Sequence, residues 1–547
     1  MRQLIDYTGF RASMASVLFI LFIGATGCKE KAKDSEIAED TGLNSENMAQ
    51  TDEEAQYRPN FHFTPKEHWI NDPNGMFYFN EYYHLYYQYH PESSVWGPMH
   101  WGHAISTDMI SWKEQPIALA PDELGYIFSG SAVVDIDNTS GFATDGKIPI
   151  VAMFTSHNPD KAKENKIDTE TQSIAYSLDE GLTYTKYEGN PVIENPGIRD
   201  FRDPKVSWNA ANKKWNMVLA ADDKIMFYES ENLKEWTLLS DFGKGIGAHG
   251  GVWECPDLFP LPVRGSDDEK WVLLVSINPG GPNGGSATQY FIGDFDGKQF
   301  TMDENFKKEL QDGQDFWVDF GKDNYAGVTW SNVETKDGGK YFVGWMSNWQ
   351  YANEVPTETW RGAMTIPREL QLVKTGDSYR LASEPVAQLK QYRNTKLKKD
   401  GISVNGQTKL VDSGKIDLSS AEIIFDISDI ENSGFNFKLS NPNGDELSFG
   451  YNSKDKNFYV DRTKSGNIGF SEDFADKTST APRVSDVTSL SGKILLDKTS
   501  IELFYDNGLN VMTEIFFPNA PFETLTISSD AKELTLDHFE IHELKLN

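Results

Sequence analysis

The sequence contains only two cysteines among its 547 residues. So few cysteines exclude a fold held together by several disulfides, and they exclude a cysteine-rich zinc module. Basic residues are also in the minority, since 51 Lys and Arg stand against 83 Asp and Glu, a formal net charge of −32. This balance argues against a non-specific nucleic-acid binder and against binding to anionic lipid through a basic face. A neutral, hydroxyl-rich partner is compatible with it.

The chain also lacks an apolar run long enough to cross a bilayer. The N-terminal run at residues 17–23 falls short of the ~20 residues that a membrane-spanning helix needs. Basic residues precede this run and small residues follow it, a pattern typical of a signal peptide. Residues 24–28 (GATGC) resemble the lipobox of bacterial lipoproteins, which implies a signal peptide at 1–28 and acylation of Cys28. The alternative is a plain secretory signal with an incidental cysteine. Either way, we expect an exported protein, with any membrane attachment through lipid alone and with Cys28 placing it at the cell surface or periplasmic face.

Aromatic residues are missing from residues 29–56, and tryptophan is missing from the last 187 residues. The first of these segments is rich in acids, which predicts a solvated, flexible tether. All fourteen tryptophans lie between Trp69 and Trp360. This change in composition predicts two domains, at about 57–375 and 390–547.

The first predicted domain contains a weak internal repeat, in which a strand-like run, a turn and an aromatic residue follow one another. The copies are residues 106–112 (STDMISW), 177–184 (SLDEGLTY), 230–236 (SENLKEW) and 293–300 (GDFDGKQF). Units recurring at roughly 50–70 residues favour the blades of a β-propeller, with a generic all-β fold as the alternative. The second domain has short alternating strands and no strong helix signal, which favours an antiparallel β-sandwich.

Two carboxylates lie in motifs that could hold them in place. Asp72 lies in residues 69–75 (WINDPNG), where Pro73 and Gly75 predict a turn. The alternative is an Asx-turn in which Asp72 only bonds its own backbone. Asp203 lies in residues 199–204 (RDFRDP), where the adjacent Arg202 would keep a carboxylate ionised. The alternative is a structural ion pair at a turn.

A third carboxylate, Glu254, lies between Trp253 and Cys255 in residues 250–257 (GGVWECPD), with few charges nearby in the sequence. Burial there would raise its pKa, which suits a general acid, whereas the alternative is a strand-end side chain in solvent. Two carboxylates of opposite character beside many tryptophans favour glycoside hydrolysis. We expect Cys255 to pack beside the acid as a protonated thiol.

Four motifs in this order resemble the signatures of glycoside hydrolase family 32, the invertase, inulinase and levanase family. The motifs are residues 69–75 (WINDPNG), 128–131 (FSGS), 201–204 (FRDP) and 253–257 (WECPD). The resemblance covers nearly all of 57–547 and implies an all-β fold, a five-bladed β-propeller followed by an antiparallel β-sandwich. It also implies that Asp72 is the nucleophile, Glu254 the acid/base and Asp203 the transition-state stabiliser.

The same resemblance implies a set of side chains around the terminal fructosyl ring. These are Asn71, Gln88, Trp96, Phe128, Ser129, Arg202 and Trp349, with Trp330 and Trp345 as alternatives to the last. Residues 284–293, 323–330 and 344–351 look more like fructan hydrolases than like enzymes dedicated to sucrose.

We therefore expect a retaining hydrolase, without a cofactor, that removes terminal β-D-fructofuranosyl units from levan, inulin or their oligosaccharides and also from sucrose. An endo-acting levanase, a transfructosylase and a non-catalytic fructan-binding lipoprotein are the alternatives. Six of the ten histidines fall between His62 and His103, but they form no metal-binding motif, so we expect structural roles and no metal. The sequence leaves linkage preference and oligomeric state open.

Overall fold

The structure, a computed structural model, describes residues 56–412, 414–430, 433–530 and 534–546. The predicted signal peptide, Cys28 and nearly all of the predicted tether lie outside the described residues. Within the described ranges, no helix combines the length and the apolar content needed to cross a membrane. The helices named here are α1 (Pro159–Lys163), α2 (Glu304–Gln311) and one 3-10 helix, η1 (Ala387–Tyr392); residues 56 and 57 are also helical.

The strands up to residue 385 form five separate sheets, here called blades I to V, in which all pairs but one are antiparallel. Blade I holds β1 (His68–Phe79), β2 (Tyr82–His90), β3 (His100–Ser106), β4 (Lys113–Leu119) and β19 (Trp360–Arg361). Blade II holds β5 (Tyr126–Val134), β6 (Ile150–His157), β7 (Glu170–Ser177) and β8 (Thr185–Lys186). Blade III holds β9 (Phe201–Asn209), β10 (Lys214–Ala221), β11 (Lys224–Ser230) and β12 (Thr237–Phe242). Blade IV holds β13 (Val252–Pro262), β14 (Glu269–Asn278), β15 (Ala287–Phe295) and β16 (Phe300–Met302). Blade V holds β17 (Tyr325–Thr329), β18 (Lys340–Trp345), β20 (Arg368–Thr375) and β21 (Ser378–Pro385).

The first strand of each blade lies at the centre of the ring. Contacts run from β1 to β5, β9, β13 and β17 and back to β1, so the ring is closed. The short strand β19, which lies between β18 and β20 of blade V in sequence, pairs in parallel with β1 of blade I, His68 opposite Trp360. This pairing joins the last blade to the first. The predicted five-bladed propeller is confirmed.

The predicted internal repeat marks one recurring turn, between the third and fourth strands of blades I to IV. In blade I, Ser106 Oγ accepts the backbone N–H of Met109 at 2.8 Å. In blade III, Ser230 Oγ accepts that of Leu233 at 2.9 Å. Met109 and Leu233 both have positive φ, 66° and 63°. A side-chain hydroxyl that stabilises its own turn explains why the same residue types recur.

The remaining strands form a sandwich of two six-stranded sheets, as predicted. One sheet has the order β22 (Arg393–Val404), β33 (Leu534–Leu544), β24 (Ser420–Ile427), β29 (Leu490–Asp497), β30 (Ser500–Tyr505) and β31 (Asn510–Ile515). The other has the order β23 (Gln407–Val411), β32 (Thr524–Ser529), β25 (Phe435–Ser440), β26 (Glu446–Asn452), β27 (Asn457–Lys464) and β28 (Ser479–Pro482). The predicted limits of the two domains, about 57–375 and 390–547, stay a prediction. The last strand of blade V ends at Pro385.

A buried ionic cluster joins the propeller side of the chain to the sandwich. His62 lies between Asp497 and Glu502, with its ring nitrogens 2.8 and 2.7 Å from their carboxylates. Burial lowers the pKa of His62, but the two carboxylates outweigh burial and raise the pKa to about 9. Glu502 also pairs with Arg368, which in turn reaches Asp319 at 2.8 Å. The cluster is charged and fully paired, so it fixes the propeller against the sandwich.

Candidate active site

All five inner strands leave regular pairing near their N-terminal ends. The register shifts lie at Ile70/Pro73 in β1, Ile127/Gly130 in β5, Arg202/Lys205 in β9, Glu254/Asp257 in β13 and Tyr325/Val328 in β17. A β-bulge leaves residues unpaired and redirects their side chains, and bulges are common beside active sites. The bulges therefore surround one end of the propeller ring with side chains that are not committed to a sheet face.

The first bulge replaces the turn that the sequence predicted at Pro73 and Gly75. That prediction is wrong, because both residues lie inside β1. Proline has no N–H for a ladder hydrogen bond, and a bulge accommodates it within a strand. Gly75 has φ +54°, and a Cβ there would lie 2.7 Å from the Trp101 ring. Glycine is therefore required where β1 packs on Trp101.

The bulges enclose a pocket of about 330 Å³. All ten residues that the sequence placed at the catalytic and fructosyl-binding positions line this one pocket. They are Asn71, Asp72, Gln88, Trp96, Phe128, Ser129, Arg202, Asp203, Glu254 and Trp349. Three further lining residues were not predicted as site residues, His157, Glu170 and Asp200.

The Asp72 carboxylate is held by donors from two strands. Ser129 Oγ donates to Asp72 Oδ2 at 2.6 Å, and Asn71 Nδ2 donates to Oδ1 at 3.0 Å. Asn71 is itself fixed, since its Oδ1 accepts the Trp69 indole N–H at 2.7 Å. Burial and the nearby Glu254 raise the pKa of Asp72, although the bonds from Ser129 and Asn71 lower it. The carboxylate is thus oriented but costly to ionise.

Asp203 lies close to Asp72, with Cys255 between them. The Cys255 thiol is 3.5 Å from Asp203 Oδ2 and 3.6 Å from Asp72 Oδ2, and the Cys255 backbone N–H donates to Asp203 Oδ2 at 2.9 Å. Burial raises the pKa of the Cys255 thiol, and the surrounding carboxylates raise it further. The thiol therefore stays protonated and packs beside the carboxylates.

Arg202 lowers the pKa of the adjacent Asp203, as the sequence suggested, but other effects outweigh it. Burial raises the pKa of Asp203, Arg202 lowers it, and Glu254 and Asp72 raise it again, to about 8. Asp203 also has φ +66°, an uncommon backbone conformation for a residue with a side chain. Such conformations concentrate at functional sites, where the surrounding fold holds them.

The Arg202 guanidinium lies instead against Glu254. It donates from Nε and Nη2 to Glu254 Oε1 at 3.0 and 2.9 Å. The second oxygen, Oε2, is hydrogen bonded to the Tyr325 hydroxyl. The local sequence offers few charges, and the charged partner of Glu254 comes from another strand. Both carboxylate oxygens are oriented.

A second layer holds Arg202 from behind. Its Nη1 donates to Asp200 at 2.7 Å and to both oxygens of the buried Glu170 at 3.3 Å. Burial raises the pKa of Glu170, but Arg202 and His157 outweigh burial and lower it. The His157 ring stacks on Phe128 at 4.2 Å and 10°. One network thus connects the pocket wall to the arginine that orients Glu254.

Indole rings line the rest of the pocket. Trp349 stacks on Trp69 at 5.8 Å and packs against the buried Trp345 at 4.9 Å. Trp345 lies behind Trp349, so of the three candidate tryptophans Trp349 is the one that lines the pocket. Trp96 is 39% exposed and meets Phe128 edge to face at 6.2 Å. Gln88 is fixed by bonds from its amide to Asn74 and to the Ile127 carbonyl, 2.7 and 3.0 Å.

Family models match almost the whole described chain. The model of the glycosyl hydrolases family 32 N-terminal domain matches residues 62–385, and that of the glycosyl hydrolases family 32 C terminal matches residues 388–543. The chain belongs to glycosyl hydrolase family 32. It is therefore a glycoside hydrolase.

Curated relatives in family 32 cover most of the chain. The levanase of Bacillus subtilis (strain 168) is 45% identical over 491 residues, 89% of this chain and 70% of that protein. An extracellular exo-inulinase of Aspergillus niger is 40% identical over 496 residues, 85% of this chain and 90% of that protein. Among solved structures, the exo-inulinase of Aspergillus awamori matches with a TM-score of 0.82 at 35% identity, covering 90% of this chain and 98% of the other. The β-fructofuranosidase of Schwanniomyces occidentalis in complex with fructosyl-erythritol matches with a TM-score of 0.79 at 34% identity, covering 90% and 99%.

The raised pKa of Asp203 means that the ionised form of this side chain destabilises the folded protein. Between the pKa of an unfolded aspartate, about 3.9, and about 8, the folded protein binds more protons at this site, so stability falls as pH rises through this window. We expect Asp203→Asn to stabilise the protein by on the order of 1–3 kcal/mol at pH 8 and to change little at pH 4. Calorimetric melting at both pH values checks this.

Asp267→Asn serves as the matched control, because Asp267 lies exposed on a loop. It is expected to melt like the unmodified protein at both pH values. A melting temperature of Asp203→Asn that is unchanged or lower at pH 8 would contradict the assigned cost.

Proposed function

We propose that this chain removes terminal β-D-fructofuranosyl units from fructans such as levan and inulin, and from sucrose, by a retaining double displacement. Asp72 acts as the nucleophile, Glu254 as the acid/base and Asp203 as the group that holds the hydroxyls of the fructosyl ring. The observation that supports this most is the convergence of all ten predicted residues on one pocket. Family membership and the levanase and exo-inulinase names of the relatives support the substrate class.

In the first step, Asp72 attacks the anomeric carbon of the fructosyl unit while the bond to the leaving oxygen breaks. Glu254 gives its proton to that oxygen, so the rest of the sugar chain leaves as an alcohol. The bonds from Ser129 and Asn71 orient Asp72 for this attack. Because both donors are in place before the substrate binds, little reorganisation is needed at the moment of reaction.

In the second step, water attacks the anomeric carbon of the fructosyl-enzyme and releases Asp72. Glu254, now a carboxylate, takes the proton of this water. Arg202 and Tyr325 hold the two oxygens of Glu254 for both proton transfers. Two inversions at one carbon restore its configuration, so the product is retained.

We assign exo action because the pocket is closed beneath the carboxylates. Toward the other end of the ring, the Lys205 ammonium binds the Thr329 carbonyl and lies 3.2 Å from Asp257 Oδ2. Lys205 and Asp257 are only 8% and 1% exposed, so this part of the ring is filled. The pocket therefore ends blindly at its base, and the exo-inulinase names of the relatives also support attack at a chain end.

The test is product analysis on levan and inulin side by side. We expect free fructose to be the only new sugar from the first time points, with the polymer shortened gradually. Asp72→Asn protein, assayed in parallel, is expected to release none. Early appearance of oligosaccharides would contradict exo action, and the absence of fructose release by the unmodified protein would contradict the proposed function.

We also propose that the protein is exported and anchored through an acylated Cys28. The lipobox resemblance supports the anchor, and the exo-inulinase relatives are named extracellular. Fatty-acid labelling of the expressed protein, with and without Cys28→Ser, distinguishes an anchored protein from a plainly secreted one.

A further inference from the structure

A second cavity, of about 540 Å³, lies at the other end of the propeller ring. Four of the five inner strands contribute to it with their C-terminal ends, through Val134, Trp208, Phe259 and Thr329 among others. Its volume falls within the ~300–1,000 Å³ that is usual for ligand sites. The function proposed above makes no use of this cavity.

The two cavities are separated by a packed layer. Asp257 accepts hydrogen bonds from the Thr329 backbone N–H and hydroxyl, both at 2.7 Å, and Lys205 binds Asp257 and the Thr329 carbonyl. Along β9, Asp203 and Trp208 are five residues apart, which corresponds to roughly 17 Å at ~3.3 Å per residue. A ligand in the second cavity therefore cannot touch the catalytic carboxylates.

Two exposed apolar side chains, Trp208 and Ile136, line this cavity. Trp208 is 40% exposed and Ile136 is 63% exposed. Trp208 packs edge to face on the buried Trp215 at 4.9 Å, and the Trp215 indole N–H donates to Thr139 at 2.8 Å. Apolar groups gathered at a concave surface mark a binding site more often than isolated exposed ones do.

The loop that carries Ile136 is folded by Asp135. This fully buried carboxylate accepts bonds from the backbone N–H groups of Thr139 and Ser140, both at 2.8 Å, and from their hydroxyls. Asp135 therefore has a structural role, and the exposure of Ile136 is imposed by the loop. The aromatic and aliphatic surfaces form a rigid platform rather than a flexible edge.

Polar groups without protein partners surround this platform. Lys340, Ser207 and Asp137 line the cavity, and in the part of the chain that the structure describes their side chains make no hydrogen bond or ion pair with other protein groups. Burial lowers the pKa of Lys340, and Lys205 lowers it further, against the effect of Asp257. The cavity thus presents a half-buried donor, a hydroxyl and an acceptor next to an indole ring.

We propose that this cavity is a second, non-catalytic carbohydrate site, which binds sugar rings of a fructan on Trp208 while Lys340, Ser207 and Asp137 bind their hydroxyls. An apolar aromatic face beside a few polar groups suits a neutral polyhydroxylated ring, which has C–H and O–H faces. The choice of fructan as the ligand rests on the function proposed above. Because the packed layer separates the cavities, the second site holds a part of the polymer that is distant from the end being cleaved.

The first test is the binding stoichiometry of a fructo-oligosaccharide of three or four units, measured by calorimetry. Asp72→Asn protein binds it without turnover and is expected to show two sites. Asp72→Asn with Trp208→Ala is expected to show one. Trp208→Phe, which keeps an aromatic ring, and Lys340→Met are the companion variants, and we expect the first to retain the second site and the second to weaken it.

The second test is kinetic and uses the otherwise unmodified protein. Trp208→Ala is expected to raise KM on polymeric levan about tenfold, a loss of 1.4 kcal/mol, with kcat and KM on sucrose unchanged. A single binding site in both Asp72→Asn proteins would overturn the proposal. So would a Trp208→Ala protein that binds the oligosaccharide normally but loses a dimer in light scattering, because the cavity would then be a subunit interface. Sucrose and fructan turnover by the unmodified protein tests the proposed function separately.

Discussion

Asp72→Asn is expected to lower kcat on sucrose and on fructans by at least about 10⁴-fold. The variant loses the carboxylate that forms the bond to the anomeric carbon, and a neutral amide is too weak a nucleophile to replace it. Asn has nearly the same shape as Asp: its one oxygen can accept the bond from Asn71, and its amide N–H can donate to the Ser129 hydroxyl in place of the bond that Ser129 gives to Asp72. We therefore expect the fold and substrate binding to persist.

The measurement is initial-rate kinetics on sucrose and inulin, together with a melting curve of each protein. Asp200→Asn is a matched control, because Asp200 lines the same pocket but contacts Arg202 rather than the reacting carbon. We expect the kcat of Asp200→Asn to fall by less than about a hundredfold. Retention of a tenth or more of the activity by Asp72→Asn, or equal losses in both variants, would contradict the assignment of Asp72.

Glu254→Gln is expected to lower kcat on sucrose by about 10³–10⁴-fold. Glutamine cannot give a proton to the leaving oxygen in the first step or take one from water in the second. The loss in the first step is expected to be much smaller with β-D-fructofuranosyl fluoride, because fluoride leaves without protonation. Azide should then accelerate the second step, since it attacks the fructosyl-enzyme without a general base.

The Glu254 prediction is checked by comparing the two substrates with and without azide, with the product identified by NMR as β-D-fructofuranosyl azide. Tyr325→Phe is the control, because it removes one partner of Glu254 and leaves the two bonds from Arg202. We expect the kcat of Tyr325→Phe on sucrose to fall about tenfold, and we expect azide not to accelerate its reaction. Equal losses of Glu254→Gln on sucrose and on the fluoride would show that Glu254 acts in binding rather than in proton transfer.

The sequence motifs predicted the positions of the pocket residues well, but not the backbone that presents them. The sequence was interpreted as a turn at Pro73 and Gly75. The structure has bulges within continuous strands instead. A turn and a bulge use the same residue types, and only the pairing with a neighbouring strand distinguishes them.

Partnerships across strands could not be predicted either. Arg202 is adjacent to Asp203 in sequence, yet it binds Glu254 from another inner strand. Neighbouring residues on a strand point in different directions, so adjacency in sequence is a poor guide to an ion pair. Glu170 gave no signal at all, because one acid among 83 stands out only once the fold has buried it beside Arg202.

The central claim, that Asp72 carries the fructosyl unit during the reaction, is tested most directly by mass spectrometry of the trapped enzyme. Glu254→Gln protein is mixed with β-D-fructofuranosyl fluoride, quenched in acid and digested. We expect the peptide containing Asp72 to be heavier by one anhydrofructosyl unit, and we expect this form to disappear when azide is added before the quench. A fructosyl unit on a peptide without Asp72, or no modified peptide despite release of fluoride, would contradict the account.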